Sequence, residues 1–332
     1  MHLWKKATVV VINKPQKPDY SVPKAYQPIA LMECIGKLLE KIVAKCINAD
    51  IEHFNLLPMS QFGSRPHHST INTVATLVHK IQGMRATRHA GTLLLFDILG
   101  FFNNINPGRA VHILHNKGFP TNVCDWALSF LTGCTASLKI GTYESSPFPI
   151  LNGMPQGSPL SPILSVLYTS SLIEASERWM HCNLSMYVDN GAIYTVSATT
   201  TAVASRAHQY YMEVLKWLDD NGLQADPSKT ELMMFRPTRA NPNLTGADIM
   251  GARYTDPNLG PNHITTVSHL LYLGVYIDHR LNWTRHITIM ANRTCSNIHG
   301  INILGNSICG LDFLNWQKVY NALIILGLTY GA

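Results

Sequence analysis

The amino-acid sequence predicts an α+β fold, and three observations carry the prediction. Short apolar or β-branched runs alternate with longer stretches of helical period, without the regular strand–helix–strand rhythm of a doubly wound sheet. Asn190-Gly191 stands between two β-rich runs, which is the strongest short-range hairpin signal. Asp97 and Asp189 each follow an apolar run that reads as a buried strand. A carboxylate at the end of a core strand is costly unless a cation compensates it. The pair therefore suggests one metal site assembled by the fold, as two-metal phosphoryl transfer requires.

The elements follow in chain order. Thr8–Ile12 is β-branched and reads as a strand, followed by a Pro and Lys loop at Lys14-Pro15-Gln16-Lys17-Pro18. Ile35, Leu38, Leu39, Ile42, Val43 and Ile47 recur at helical spacing and predict an amphipathic helix over 32–54. Ser69 is placed to cap a second helix with the buried stripe Val74, Leu77, Val78 and Ile81. Residues 91–97 read as a strand, followed by helices near 107–117 and 121–132, the second stopped by Gly133. Residues 135–140 and 143–150 read as paired strands around Gly141, and a helix runs from Pro159 towards Trp179. Strands at 184–188 and 192–196 place Asp189 and Asn190 at the tip of a tight turn, and a helix over 199–221 ends at Gly222. Strands are expected at 231–235 and 270–277, a Pro-, Asn- and Gly-rich loop at 237–262, and helices near 283–304 and 312–328.

Composition narrows the class. Apolar residues make up 46% of the 332-residue chain and charged ones only 14%, which excludes a disordered protein. The formal charge of +6 suits a polyanionic partner such as nucleic acid, although no Lys/Arg run is dense enough for a binding tail. Seven scattered cysteines without a CxxC pair argue against a zinc ribbon and for reduced thiols in a reducing, intracellular compartment. No HExxH pattern supports a zinc site. No apolar run approaches the ~18 residues of a membrane helix, and the N-terminal one is too short for a secretory signal. The end at Tyr330-Gly331-Ala332 lacks an obvious closing element and reads as a fragment of a longer protein.

Taken singly, each aspartate reads more readily as a turn or cap residue, Phe102 as a core aromatic, and Lys229 as a surface charge beside Pro227-Ser228. Their joint context changes the balance. Between the aspartates lies Met154-Pro155-Gln156-Gly157-Ser158-Pro159-Leu160-Ser161-Pro162, leading into an apolar helix. Gly157 lets backbone approach a ligand closely, and Gln156 offers an amide to a base or sugar. Further strings are Tyr26-Gln27-Pro28-Ile29-Ala30-Leu31, Ile35-Gly36-Lys37-Leu38-Leu39-Glu40-Lys41 and Gln61-Phe62-Gly63-Ser64-Arg65-Pro66. Then come Phe96-Asp97-Ile98, Tyr187-Val188-Asp189-Asn190, Lys229-Thr230-Glu231-Leu232 and Tyr272-Leu273-Gly274-Val275. In this order, over nearly the whole length, they resemble the reverse transcriptase domain of non-LTR (LINE-type) retrotransposons, most nearly those of fungal elements.

The resemblance implies a right-hand polymerase fold. It divides the chain into a fingers-like segment 1–90, a palm with an antiparallel sheet at 91–235, a loop and primer-grip strand at 236–280, and a partial helical thumb at 281–332. It implies an RNA-directed DNA polymerase, a nucleotidyltransferase with an RNA template, a DNA primer and dNTPs as partners, and nuclear residence by analogy. By the same resemblance Asp97 and Asp189 hold two Mg²⁺ ions, for which Mn²⁺ could substitute, and Lys229 lies near the leaving pyrophosphate. Phe102 blocks a ribose 2′-hydroxyl, and Gln156, Gly157 and Arg65 belong to the nucleotide site. Tyr272, Leu273 and Gly274 grip the primer end, and Arg285, Arg293 and Lys318 are candidates for duplex phosphate contacts.

The pattern also breaks. The family's third acidic position is Asn190, which offers a metal no negative charge. Gln27 stands where the family usually has Arg; Ser64, His67, His68, Asn72 and Asn103 are further departures. A decayed element copy with weak polymerase activity accounts for all of them, and a nucleic-acid-binding remnant without catalysis is the alternative.

Overall fold

A computed structural model of the chain describes residues 5–15, 18–235, 265–302 and 310–331. By contact the chain forms two compact units. The first comprises residues 1–68, 96–193 and 206–230, and the second 69–95, 194–205 and 231–332.

In the first unit a mixed sheet is built on β1 (Lys6–Asn13). It pairs antiparallel with β2 (Tyr26–Leu31), Thr8 opposite Leu31, and parallel with β4 (Cys134–Ile140), Lys6 opposite Thr135. β5 (Tyr143–Glu144) and β6 (Phe148–Ile150) fold back onto β4. The single strand expected over 143–150 is thus two short ones, because Ser145-Ser146-Pro147 interrupts the ladder. β2 escapes a propensity reading because Pro28 lies inside it. As the outer strand of the order β2-β1-β4-β5 it tolerates a missing N–H.

Helix α1 (Cys34–His53) forms close to where the periodicity places it, but it buries a different line. Gly36, Glu40, Ala44, Ile47 and Ile51 face inward, while Ile35, Leu38 and Ile42 are exposed. α1 packs against α6 (Ser161–Ser176). α6 is buried on nearly all sides, its apolar residues interleaved with Ser and Thr. Its Ser165, Ser170 and Ser176 hydroxyls donate to carbonyls of their own helix, whereas the Ser171 hydroxyl is buried without a partner. Short helices α3 (Phe101–Asn104), α4 (Pro107–Asn116) and α5 (Thr121–Leu131) follow β3 (Ala90–Asp97), which is buried along its whole length. α4 and α5 match the expected helices, whereas α6 ends before Trp179. β7 (Cys182–Tyr187), β8 (Asn190–Ser197) and α7 (Thr200–Asp220) complete the elements that reach this unit.

In the second unit α2 (Thr70–Ala86) is capped as expected, the Ser69 hydroxyl accepting from the Asn72 N–H at 3.1 Å. Residues 91–95 of β3 pair antiparallel with β9 (Glu231–Phe235), and β9 pairs parallel with β10 (Thr265–Thr266). β11 (His269–Tyr272) and β12 (Val275–Asp278) form a hairpin. α8 (Thr284–Asn302) follows, then α9 (Phe313–Tyr320), which continues through a π-helical turn at Asn321–Ile325. The loop expected at 237–262 lies outside the described residues. Among the described residues no helix is long and apolar enough to cross a membrane.

Glu40 is the buried charge-bearing residue of α1. Its Oε2 accepts from the Ser158 hydroxyl at 2.6 Å, and burial raises its pKa above the usual carboxylate value. A raised carboxyl keeps its proton longer in the folded chain than in the unfolded one. Stability therefore falls as pH rises from the ordinary carboxylate value through the raised one. Urea unfolding of Glu40→Gln, which keeps the acceptor, should show a flatter dependence between about pH 4 and 8 than the parent chain.

Candidate active site

The site grows from the ends of two core strands. β3 ends at Asp97, which is 9% exposed, and β7 ends in a two-residue turn, Val188-Asp189, before β8 begins at Asn190. The turn is one residue earlier than the expected tip at Asp189 and Asn190. Val188 adopts φ 60°, a left-handed conformation unusual for a β-branched residue and a mark of imposed backbone strain. The surroundings impose it. Residues 60–62 run along β7, Met186 N donating to Ser60 O at 3.1 Å and Phe62 N to Met186 O at 3.0 Å. Gly63 then lies so close that a Cβ there would meet Val188 N at 2.6 Å.

Gly191 is needed for space rather than for a turn. A Cβ on it would meet the Phe96 ring at 2.1 Å. That ring also packs against Tyr211, centroids 6.1 Å apart, which sets the direction of the chain leaving Phe96 towards Asp97. Ile98 N donates to Asp189 O at 3.1 Å, and Asp226 N to Asp97 O at 2.8 Å. Both aspartate backbones are thereby tied to neighbouring strands.

The side chains form a charge cluster. Lys229 Nζ donates to Asp97 Oδ2 in an ion pair, and Asn190 Nδ2 donates to Asp189 Oδ1 at 2.9 Å. Burial raises the Asp189 pKa first, and the Asp97 carboxylate raises it further; Lys229 and the Asn190 amide act in the opposite direction. Burial alone would lower the pKa of Lys229, but the hydrogen bond and charge of Asp97, helped by Asp226 and Asp189, hold its ammonium above the ordinary value. Among the described residues no group of three or more His, Cys, Asp or Glu is placed to hold a metal. Two hard carboxylates are nevertheless the donors Mg²⁺ takes when substrate phosphates and water complete its shell. The Lys229 ammonium already shows that Asp97 accepts a cation.

The other expected residues divide. Phe102 is half-exposed on α3, its carbonyl accepting from Met154 N at 2.6 Å, whereas the adjacent Phe101 fills the core. Gln156 and Gly157 lie in the loop before α6. The Gln156 carbonyl accepts from Ala30 N at 3.0 Å, its side-chain Oε1 is buried without a partner, and Gly157 takes φ 119° against the carbonyl of Ala30. Arg65 does not present its fork to a ligand. It is 8% exposed, pairs bidentately with Glu52 at 2.9 Å on both arms, and donates to the carbonyls of Pro58 and Gln61. These bonds make Arg65 a brace for the 58–65 segment.

Tyr272, Leu273 and Gly274 belong to the second unit. Leu273 and Gly274, at φ 49° and 85°, make the two-residue turn between β11 and β12. Tyr330 holds it, its hydroxyl donating to Leu273 O at 2.6 Å and lying 3.0 Å from Thr70 Oγ1. Nothing in the sequence marks Tyr330, because its partner lies far along the chain. Of the thumb candidates, Arg285 lies over the Tyr276 ring at 5.5 Å.

An α+β chain whose core strands end in adjacent carboxylates defines the polymerase class. The family of reverse transcriptases (RNA-dependent DNA polymerases) matches residues 12–277, and the chain belongs to it. Relatives are the "Probable RNA-directed DNA polymerase from transposon BS" of Drosophila melanogaster, 26% identical across 96% of this chain and 34% of that protein, and the RNA-directed DNA polymerase from mobile element jockey of the same species, 26% identical across 86% and 30%. These relatives are insect elements of the non-LTR kind. The chain spans about a third of the length of these curated relatives. A telomerase from Candida tropicalis solved with a fragment of telomeric RNA shares the fold, with a TM-score of 0.58 at 10% identity over 98% of this chain and 53% of that one.

Two outcomes test this construction. Gly191→Ala forces a methyl group into the Phe96 ring and should lower stability by about 1–3 kcal/mol in urea unfolding. Tyr330→Phe leaves the Leu273 carbonyl without its donor. It should cost about 1–3 kcal/mol and speed amide exchange within 269–278 while amides of 91–95 stay protected.

Proposed function

We propose that Asp97, Asp189 and their neighbours form the nucleotidyl-transfer centre of an RNA-directed DNA polymerase, with activity lowered by Asn190. The observation that carries the reading is that the fold brings Asp97 and Asp189 together from distant stretches of chain, Ile98 N, next to Asp97, donating to Asp189 O at 3.1 Å. Asp97 and Asp189 would hold two Mg²⁺ ions, or Mn²⁺. When bound, these supply the positive charge that activates a primer 3′-hydroxyl and stabilises the triphosphate.

The chain's own residues do the rest. Lys229, paired with Asp97 here, would be released where ions are held, and its ammonium would then face the leaving pyrophosphate. Phe102, half-exposed and fixed through its carbonyl, selects deoxynucleotides by clash with a 2′-hydroxyl. Gln156 and Gly157 offer an amide and a close backbone to the incoming nucleotide. Leu273 and Gly274, with Tyr272 buried beneath, present a rigid hairpin to the primer end. The RNA template and the nascent duplex are held chiefly through phosphates.

Asn190 is the weak point. Its amide N–H satisfies the Asp189 carboxylate without adding negative charge, so two dications would meet two carboxylates instead of three. A loss of several kcal/mol at ~1.4 kcal/mol per tenfold slows the transfer by roughly two to four decades. This favours a second reading, a nucleic-acid-binding remnant that has lost catalysis.

Primer extension on an RNA template with Mg²⁺ separates the readings. The parent chain should extend weakly, and Asn190→Asp should raise the rate by about 10²–10⁴. Mg²⁺ should also raise the melting temperature of Asn190→Asp more than that of the parent, since added charge tightens the ion's hold on the folded state. Equal, robust extension by both proteins refutes the impairment. No extension by either, with salt-dependent duplex binding intact, favours the remnant.

A further inference from the structure

Lys229 reaches Asp97 with a side chain that is 60% exposed. So little packing does not hold a long side chain in one rotamer, and fixing it costs conformational freedom. The placement of its ammonium therefore depends on the backbone beneath it. That backbone is the short turn Pro227–Lys229. Asp226 closes the turn. Its Oδ1 accepts from Ser228 N at 3.0 Å and from the Ser228 hydroxyl at 2.6 Å, and its carbonyl accepts from Lys229 N at 3.1 Å. Its own N–H donates to Asp97 O at 2.8 Å, which ties the turn to the end of β3.

The turn is also anchored in the core. Thr230 is buried, and its hydroxyl donates to Asp226 O at 3.0 Å. The hydroxyl of Tyr211, on α7, lies 3.1 Å from the same Thr230 oxygen. A carbonyl only accepts, so the single Thr230 hydroxyl proton goes to Asp226 and Tyr211 is the donor to Thr230. Burial raises the Tyr211 pKa, so the phenol keeps the proton that this bond needs. The relay therefore has one direction, from Tyr211 through Thr230 to Asp226. The ring of Tyr211 is buried too and packs on Phe96, centroids 6.1 Å apart, directly before Asp97. One core side chain thus touches the supports of both partners in the Asp97–Lys229 pair.

We propose that Tyr211 is a positioning residue for this pair: its hydroxyl, through Thr230, sets the turn that carries the Lys229 ammonium, and its ring, through Phe96, sets the strand end that carries Asp97. The consequence for the reaction rests on the reading of Lys229 as the group that meets the leaving pyrophosphate. A misplaced ammonium then loses stabilisation that exists only in the transition state, which lowers kcat and leaves KM for the dNTP nearly unchanged.

The variants separate the two supports. Tyr211→Phe keeps the ring on Phe96 and removes only the donor. Thr230→Val removes the whole relay at constant shape, and Thr230→Ser keeps a hydroxyl. In the ion-free protein at fixed pH, ¹⁵N relaxation of the Lys229 ammonium, assigned with Lys229→Arg, should report greater mobility in Tyr211→Phe and more still in Thr230→Val. Thr230→Ser should return it to the parent's value. In primer extension on an Asn190→Asp background, Tyr211→Phe should lower kcat by about three- to tenfold at nearly constant KM. Lost stability with Lys229 mobility unchanged in both folded variants overturns the proposal, and so does failure of Thr230→Ser to restore the parent's value. Altered mobility without extension by any of the proteins upholds the positioning and counts against the polymerase reading instead. A raised KM at constant kcat overturns the link between Tyr211 and the leaving group.

Discussion

The site is organised by the juxtaposition of two carboxylates contributed by distant stretches of chain. Asp97 and Asp189 repel one another, and burial adds to the cost of their charge. The structure without ions meets that cost locally. Lys229 neutralises Asp97, and the Asn190 amide donates to Asp189. This compensation is reversible in kind, because an ammonium and an amide are weaker partners for a carboxylate than a dication.

Holding the carboxylates there requires strain and tight packing around them. Val188 occupies a conformation a β-branched residue resists, and the ladder from Ser60 to Phe62 along β7 holds it. Gly63 and Gly191 make room where any side chain would strike Val188 or Phe96. Gly63 lies within a string carried by the resemblance and Gly191 directly follows another, and each makes steric room for its neighbours. Arg65 belongs with them: its two arms spent on Glu52 fix the segment that braces the turn.

Belonging to the reverse transcriptase family does not by itself decide what this copy does. The fold is kept at 10% identity to a telomerase, so fold tolerates wide sequence change while catalysis depends on a few charges. Asn190 is such a point. Its amide donates to the Asp189 carboxylate and carries no formal charge.

Much was legible from the chain alone. The buried strand before Asp97, the capped helix after Ser69, the hairpin around Asp189 and the apolar α6 each follow from local pattern, because periodicity, capping and burial are properties of neighbouring residues. The tertiary structure decided what depends on distant partners. It set the inner face of α1, allowed Pro28 into an edge strand, and moved the turn from Asp189-Asn190 to Val188-Asp189. It committed Arg65 to Glu52 and set Tyr330 beneath Leu273. Each of these is fixed by a contact between residues far apart in sequence, where spacing along the chain carries no information about distance in space.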